Sequence, residues 1–484
     1  MAASISKRFL KSINVKRIIP SLILGAATLT GVADVAEDAR ALIDGADYEA
    51  AAEILLAELE RAPKSTQLGT LNQLLGECRF ELGEYEDSRN NFEIAKAKGV
   101  ADAYRFLGRL AFLDYDFDGA ASNYAKYRQM KLKAKKPIVP ETEEEENRIE
   151  TARGFLDRVE KIAVIDSLTA DFTDFYRDYR IPPSAGRLLE PEKIPFPESQ
   201  TNASMAYANE AGDFILWAEP DTIGTQRIFE ATRLTDGSWH GPDLTGDGLL
   251  EGDSDYPFMM ADGLTLYFAN DGPESIGGYD IFVATRDAAT GKYLQPQNLG
   301  MPYNSPYDDF MLAIDELNGV GWWATDRNRL EGKVTIYVFA VNDLRKNYNP
   351  DEYDVTGFAR LDCIALTQDD QDFSELRAAI AEIKPAEDEV EPEFRFPMGK
   401  GIIYTSIDDF RTEAGRSAMR QYIEASERYD SDTSSLREMR AEYSSSPSRQ
   451  LAERIKQAEK TQETDRGRLH RLRSDIYRAE KKAR

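Results

Sequence analysis

A multidomain chain with separate α and β regions is predicted: an N-terminal solenoid of helical hairpins, a central array of four-stranded sheet blades, and a C-terminal helical, coiled-coil tail. Three observations predict it. A Leu-Gly pair recurs 32 residues apart, as Leu75-Gly76 and Leu107-Gly108, inside a pattern of small and aromatic residues at helical spacing. A strand-turn-strand phrase recurs three times between residues 214 and 337. Beyond the break Ser444–Pro447, apolar residues return every three or four positions (Leu451, Ile455, Ala458, Leu469, Leu472, Ile476), a thin coiled-coil seam.

Composition narrows the function. The 484 residues fit two to four domains. Acids outnumber bases 86 to 60, a net charge of −26, which argues against nucleic-acid binding because phosphate neutralisation needs cation density. Two histidines and two cysteines exclude a zinc site rich in Cys and His, and also a disulfide framework. The front reads as a signal peptide over residues 1–33. Lys7, Arg8, Lys11, Lys16 and Arg17 precede an apolar run from Ile18 to Val32, which ends at small residues just before Asp34. A run of about 15 residues is short for a membrane span. A buried helix or an uncleaved anchor is the alternative, and an exported, periplasmic chain is the expectation.

In residues 34–158, Phe80 and Phe112 follow the Leu-Gly pairs, then a turn, then Phe92 and Ala95 in one copy and Ala120, Tyr124 and Tyr127 in the other. A weaker first copy shows Gly45, Tyr48, Ala51, Leu55 and Pro63. These spacings resemble the tetratricopeptide repeat over roughly residues 34–133, with the usual first-helix tryptophan replaced by Asn72 and Tyr104. One such repeat cannot bury its own apolar face, so copies stack. The run Glu143–Glu146 reads as a solvated helix start, followed by a capping helix from Arg148 to Val159.

In residues 159–405, Phe214–Ala218, Leu264–Ala269 and Gly321–Ala324 align, each followed by a polar turn and a second strand. Alternating aromatic and β-branched residues between Gly/Asp/Asn turns spell blades, and hence a β-propeller of four to six blades, closed or incomplete, with an irregular insert near 343–398. The arc missing from three copies is assigned to residues 161–172, the Pro-rich stretch to Pro197, and residues 353–405. The phrases Asp262-Gly263-Leu264-Thr265-Leu266-Tyr267-Phe268-Ala269-Asn270 and Gly277-Gly278-Tyr279-Asp280-Ile281-Phe282 resemble the WD-like repeats of TolB-type periplasmic propellers. The likeness is to those fused behind tetratricopeptide repeats in exported proteins of Bacteroidota. That resemblance implies a non-enzymatic scaffold for protein partners at the inner face of the outer membrane, in envelope assembly, secretion or transport.

Candidate chemistry is sparse. There is no Gly-x-Ser-x-Gly elbow, and Gly272–Gly278 joins two strands rather than opening a helix. Asp243-Leu244-Thr245-Gly246-Asp247-Gly248 resembles the front of a calcium loop, with Ser254 at the twelfth position where a glutamate is expected. Asp243, Asp247, Asp253 and Asp255 are the weak calcium candidates; no other cofactor is expected. His240 reads as surface polar. A second reading, a carbohydrate-binding or glycan-acting propeller, rests on Trp239, Tyr303, Trp322, Trp323, Asp308 and Asp309, because alternation on a strand would leave either Trp322 or Trp323 exposed. Residues 406–484 form the tail. Its last part, 448–484, holds 12 bases against 6 acids, which suggests a hairpin on the acidic body, an arm for an acidic partner or the envelope surface, or a homo-oligomer contact through residues 409–484.

Overall fold

The computed structural model describes residues 32–484 except 62–63, 343, 370, 384–393, 395, 399–402, 405, 447 and 482–484. Residues 1–31, and with them the signal segment, lie outside the described residues. The chain divides into two compact units, one ending at Gly154 and one beginning at Phe155.

The first unit is helical: α1 (Val32–Asp44), α2 (Tyr48–Glu60), α3 (Leu68–Glu81), α4 (Tyr85–Ala97), α5 (Asp102–Leu113), α6 (Phe117–Lys133) and α7 (Thr142–Leu156). Asp47 and Asp116 start α2 and α6 by accepting hydrogen bonds from the Ala50 and Gly119 backbone N–H groups at 3.3 and 2.9 Å. The helices pair as α1 with α2, α3 with α4 and α5 with α6. The Leu-Gly spacing has a direct cause. A Cβ on Gly76 would lie 2.6 Å from the Phe92 ring, and one on Gly108 would lie 2.6 Å from the Tyr124 ring. Each aromatic sits sixteen residues after its glycine, and Ala39 and Leu55, both fully buried, hold the same relation in the first pair. The acidic start of α7 is not simply solvated. Arg105 donates to both oxygens of Glu145 at 2.7 and 2.8 Å, and Arg128 grips Glu146, so the run ties α7 to α5 and α6.

The second unit holds three multi-stranded antiparallel sheets among the described residues, not four to six blades. The first runs β2-β3-β4-β5-β6, from β2 (Arg187–Leu189), β3 (Ala206–Ala208), β4 (Phe214–Pro220), β5 (Gln226–Arg233) and β6 (Trp239–Leu244). The second runs β10-β9-β8-β7, from β7 (Ser254–Met259), β8 (Thr265–Asn270), β9 (Asp280–Thr285) and β10 (Gln297–Asn298). The third runs β1-β13-β12-β11, from β1 (Ala163–Asp171), β11 (Asp309–Asp315), β12 (Val320–Thr325) and β13 (Lys333–Ala340). The aligned phrases occupy equivalent places. Ala218 faces Ile228, Ala269 faces Ile281 and Ala324 faces Ile336, and all six are at most 1% exposed.

The segments assigned to further blades do other work. Residues 163–171 become β1, the outer strand of the third sheet, with Ala163 opposite Ala340. The stretch to Pro197 gives short 3-10 turns and β2. Phe175 from this stretch packs on Phe310 and Tyr256 at ring-centroid distances of 5.3 and 5.8 Å, and Tyr179 Oη donates to the Met311 carbonyl at 2.7 Å. An aromatic plug therefore fills the space among the sheets. Residues 353–405 give α8 (Val355–Arg360), α9 (Ser374–Glu382) and the ribbon β14 (Phe396–Pro397) with β15 (Ile403–Tyr404).

The tail is a hairpin of α10 (Glu413–Ser445) and α11 (Arg449–Lys481) that belongs to the second unit. Its apolar seam is filled within the chain, since Leu451, Ile455, Leu469 and Ile476 are all buried. Arg473, 1% exposed, stacks over Phe396 at 4.9 Å, and its guanidinium lies where a Cβ on Gly332 would stand. Arg437 pairs with Asp166 on β1 at 2.8 Å. No described helix is long and apolar enough to cross a membrane.

Candidate functional site

Two of the carboxylates singled out in the sequence, Asp253 and Asp308, lie at the seams between sheets. Asp253, just before β7, accepts from the Gln226 N–H at the start of β5 (3.1 Å), and Asp308, just before β11, accepts from the Tyr279 N–H before β9 (2.7 Å). Asp271 in turn accepts from the Asp253 N–H at 2.7 Å, and Asp326 from the Asp308 N–H at 2.8 Å. The two pairs lie 55 residues apart and make the same staple: one carboxylate reaches back to the preceding sheet, and a second fixes the backbone that carries it. Charge-assisted bonds to backbone N–H groups are strong, and they use these oxygens internally.

Asp309 is fully buried. Its Oδ2 accepts from Ser305 N and Oγ at 2.6 Å each, and its Oδ1 from Arg327 Nη2 at 2.6 Å. Arg327 also donates to the Pro302 and Tyr303 carbonyls at 2.9 and 2.8 Å. Next to this pair, Asp280 accepts from Ile276 N, Gly277 N and Asn298 Nδ2. Asn304 bridges Ile281 and Asn298. Arg327, Asn298 and Asn304 were not singled out by sequence reasoning. The recurrence of Asp253 as Asp308 and of Asp271 as Asp326 at one fixed offset marks the staples, and no such recurrence marks these three.

The structure removes one premise of the carbohydrate reading. Trp322 and Trp323 are 1% and 0% exposed, because both faces of β12 are covered, so the expected exposed tryptophan is absent. Tyr303 is buried against Trp323 and Phe339, at 5.5 and 5.4 Å between ring centroids. Asp308 and Asp309 are buried as described. Only Trp239 is partly exposed, on the edge strand β6, opposite Arg233. His240 is exposed and lies 3.7 Å from Asp243.

The calcium candidates are dispersed. Among the described residues no group of three or more His, Cys, Asp or Glu side chains gathers as a metal site. Asp243 is exposed on β6, Asp253 serves the staple, Asp255 is buried, and the Asp247 side chain lies outside the described residues. A 490 Å³ pocket opens beside β10, with Arg158, Asn298, Leu299 and Arg345 in its wall. Arg345 is already engaged there, 3.2 Å from Glu160 and donating to the Leu299 carbonyl at 3.0 Å.

Burial raises the Asp255 carboxyl from the ordinary aspartate range to about 7, partly offset by the Tyr256 N–H that its Oδ1 accepts at 2.6 Å. The folded protein thus holds this proton more tightly than the unfolded chain does. Asp255 therefore lowers stability progressively as pH rises from about 4 to about 7. Asp255→Asn removes the titration. The stability of the variant relative to the natural chain is expected to rise by about 3 kcal/mol between pH 5 and pH 8. Urea unfolding at the two pH values reads this difference, and equal differences would show that Asp255 does not titrate.

No protein-family model, curated protein or solved structure matches the chain.

Proposed function

We propose that this chain is a non-enzymatic exported scaffold. Its tetratricopeptide-like helix pairs and WD-like, TolB-type sheet array bind protein partners at the periplasmic side of the outer membrane, in an assembly, secretion or transport complex. The observation that carries this reading is the internal use of the chain's reactive-looking groups. Asp253, Asp271, Asp308 and Asp326 staple sheets, and Asp309 holds Arg327. Paired helices stacked in series add a broad, rigid surface of the kind that grips protein segments.

The test is affinity capture from crosslinked envelopes with the full chain as bait. A reproducible set of envelope proteins, recovered in near-stoichiometric amounts, is expected. Recovery of nothing above bare resin would overturn the reading. So would turnover of a small molecule that copurifies with the chain and is abolished by a substitution within it.

A further inference from the structure

The outward side of α11 carries charge that the fold leaves unused. Leu451, Ile455, Leu469 and Ile476 are buried in one row along the helix. On the opposite side Glu453 and Glu463 are exposed but are outnumbered by bases: Arg449, Lys456, Lys460, Arg471 and Arg478 are all exposed. Their spacings of seven, four, eleven and seven residues are close to whole helical turns, so their charges line up in a straight row about 44 Å long. Arg478 pairs with Asp475 at 3.2 Å, whereas Arg449, Lys456, Lys460 and Arg471 form no ion pair with a described carboxylate. Among the described residues, neither tail helix exposes a large apolar side chain.

We infer that the outer face of α11 docks on an anionic lipid bilayer, its row of bases lying across the phosphate headgroups without insertion. A straight cationic row suits a flat anionic surface. A protein partner would instead be held by aromatic or aliphatic anchors seated in pockets, and the face offers none. The chain as a whole carries a net charge of −26 and its remaining surface is repelled by the same bilayer, so contact through this row also sets the orientation. The inference extends the scaffold reading to where the scaffold is held. The two fail separately, because capture of partners from detergent-solubilised envelopes does not depend on lipid.

The test is flotation of the full chain with vesicles of phosphatidylcholine alone or with phosphatidylglycerol, at low and high salt. The natural chain is compared with the triple variant Lys456→Glu, Lys460→Glu, Arg471→Glu. Residues 1–33 are common to both and contribute the same background. Binding only to phosphatidylglycerol vesicles is expected, lost at high salt by screening and reduced about tenfold or more in the variant. These side chains are exposed, so matching circular dichroism melts will show that both proteins are folded. Equal binding by the two proteins, or equal binding to neutral vesicles, overturns the inference. So does binding to soluble polyglutamate without flotation.

Discussion

Arg327→Met is expected to lower the stability of the second unit by about 3–5 kcal/mol, the usual cost of leaving one member of a buried ion pair without its partner. Asp309 keeps Ser305 N and Oγ but loses the cation at 2.6 Å, and the Pro302 and Tyr303 carbonyls lose the donors that hold their loop to the third sheet. The pair is shut away from water, with side-chain exposures of 4% and 0%, so screening does not weaken the effect. All four tryptophans, Trp217, Trp239, Trp322 and Trp323, lie in the second unit, so their fluorescence during urea unfolding reads that unit alone. Adding Asp309→Leu to the first variant should recover part of the loss, since an apolar pair leaves no buried charge uncompensated. A loss below about 1 kcal/mol in Arg327→Met would show that the pair does not hold the sheets.

Gly277→Ala should cost about 3 kcal/mol, at the upper end for forcing an extra carbon into a packed site. A Cβ there would lie 1.9 Å from the Tyr307 carbonyl oxygen and 2.5 Å from that of Ser305. These are backbone atoms of the neighbouring sheet's approach segment, held by the Asp308 and Asp309 bonds, so they cannot swing aside as a side chain would. The first glycine of the Gly277-Gly278 phrase is therefore a contact between sheets. Gly467→Ala is the control. A Cβ at that position in α11 meets nothing within 4 Å, so the substitution should leave stability unchanged or raise it by up to about 1 kcal/mol through helix propensity. The same tryptophan signal separates the two variants, and equal midpoints would remove the steric argument.

Much of the local structure was legible in the sequence because it follows from short-range rules. The Leu-Gly spacing marked the helix pairs, since only a residue without a side chain lets Phe92 or Tyr124 approach. The three strand-turn-strand phrases fell into equivalent registers. The tail's apolar row found a partner helix. The candidate site was legible only as a list of residue types. Alternation along β12 says that Trp322 and Trp323 face opposite ways, but not that both faces are covered. That depends on Tyr303 and on strands from elsewhere in the chain.

By itself the sequence determined the periods, helix pairs and sheet phrases, together with a basic last helix on an acidic chain. Only the tertiary structure decided that the described residues form three sheets of four or five strands, because β1 crosses to β13, a pairing between residues as far apart as Ala163 and Ala340. It alone turned acids that read as ligands into staples. A carboxylate's role depends on which groups surround it, and at Asp308 and Asp309 these arrive from segments that the local pattern cannot place.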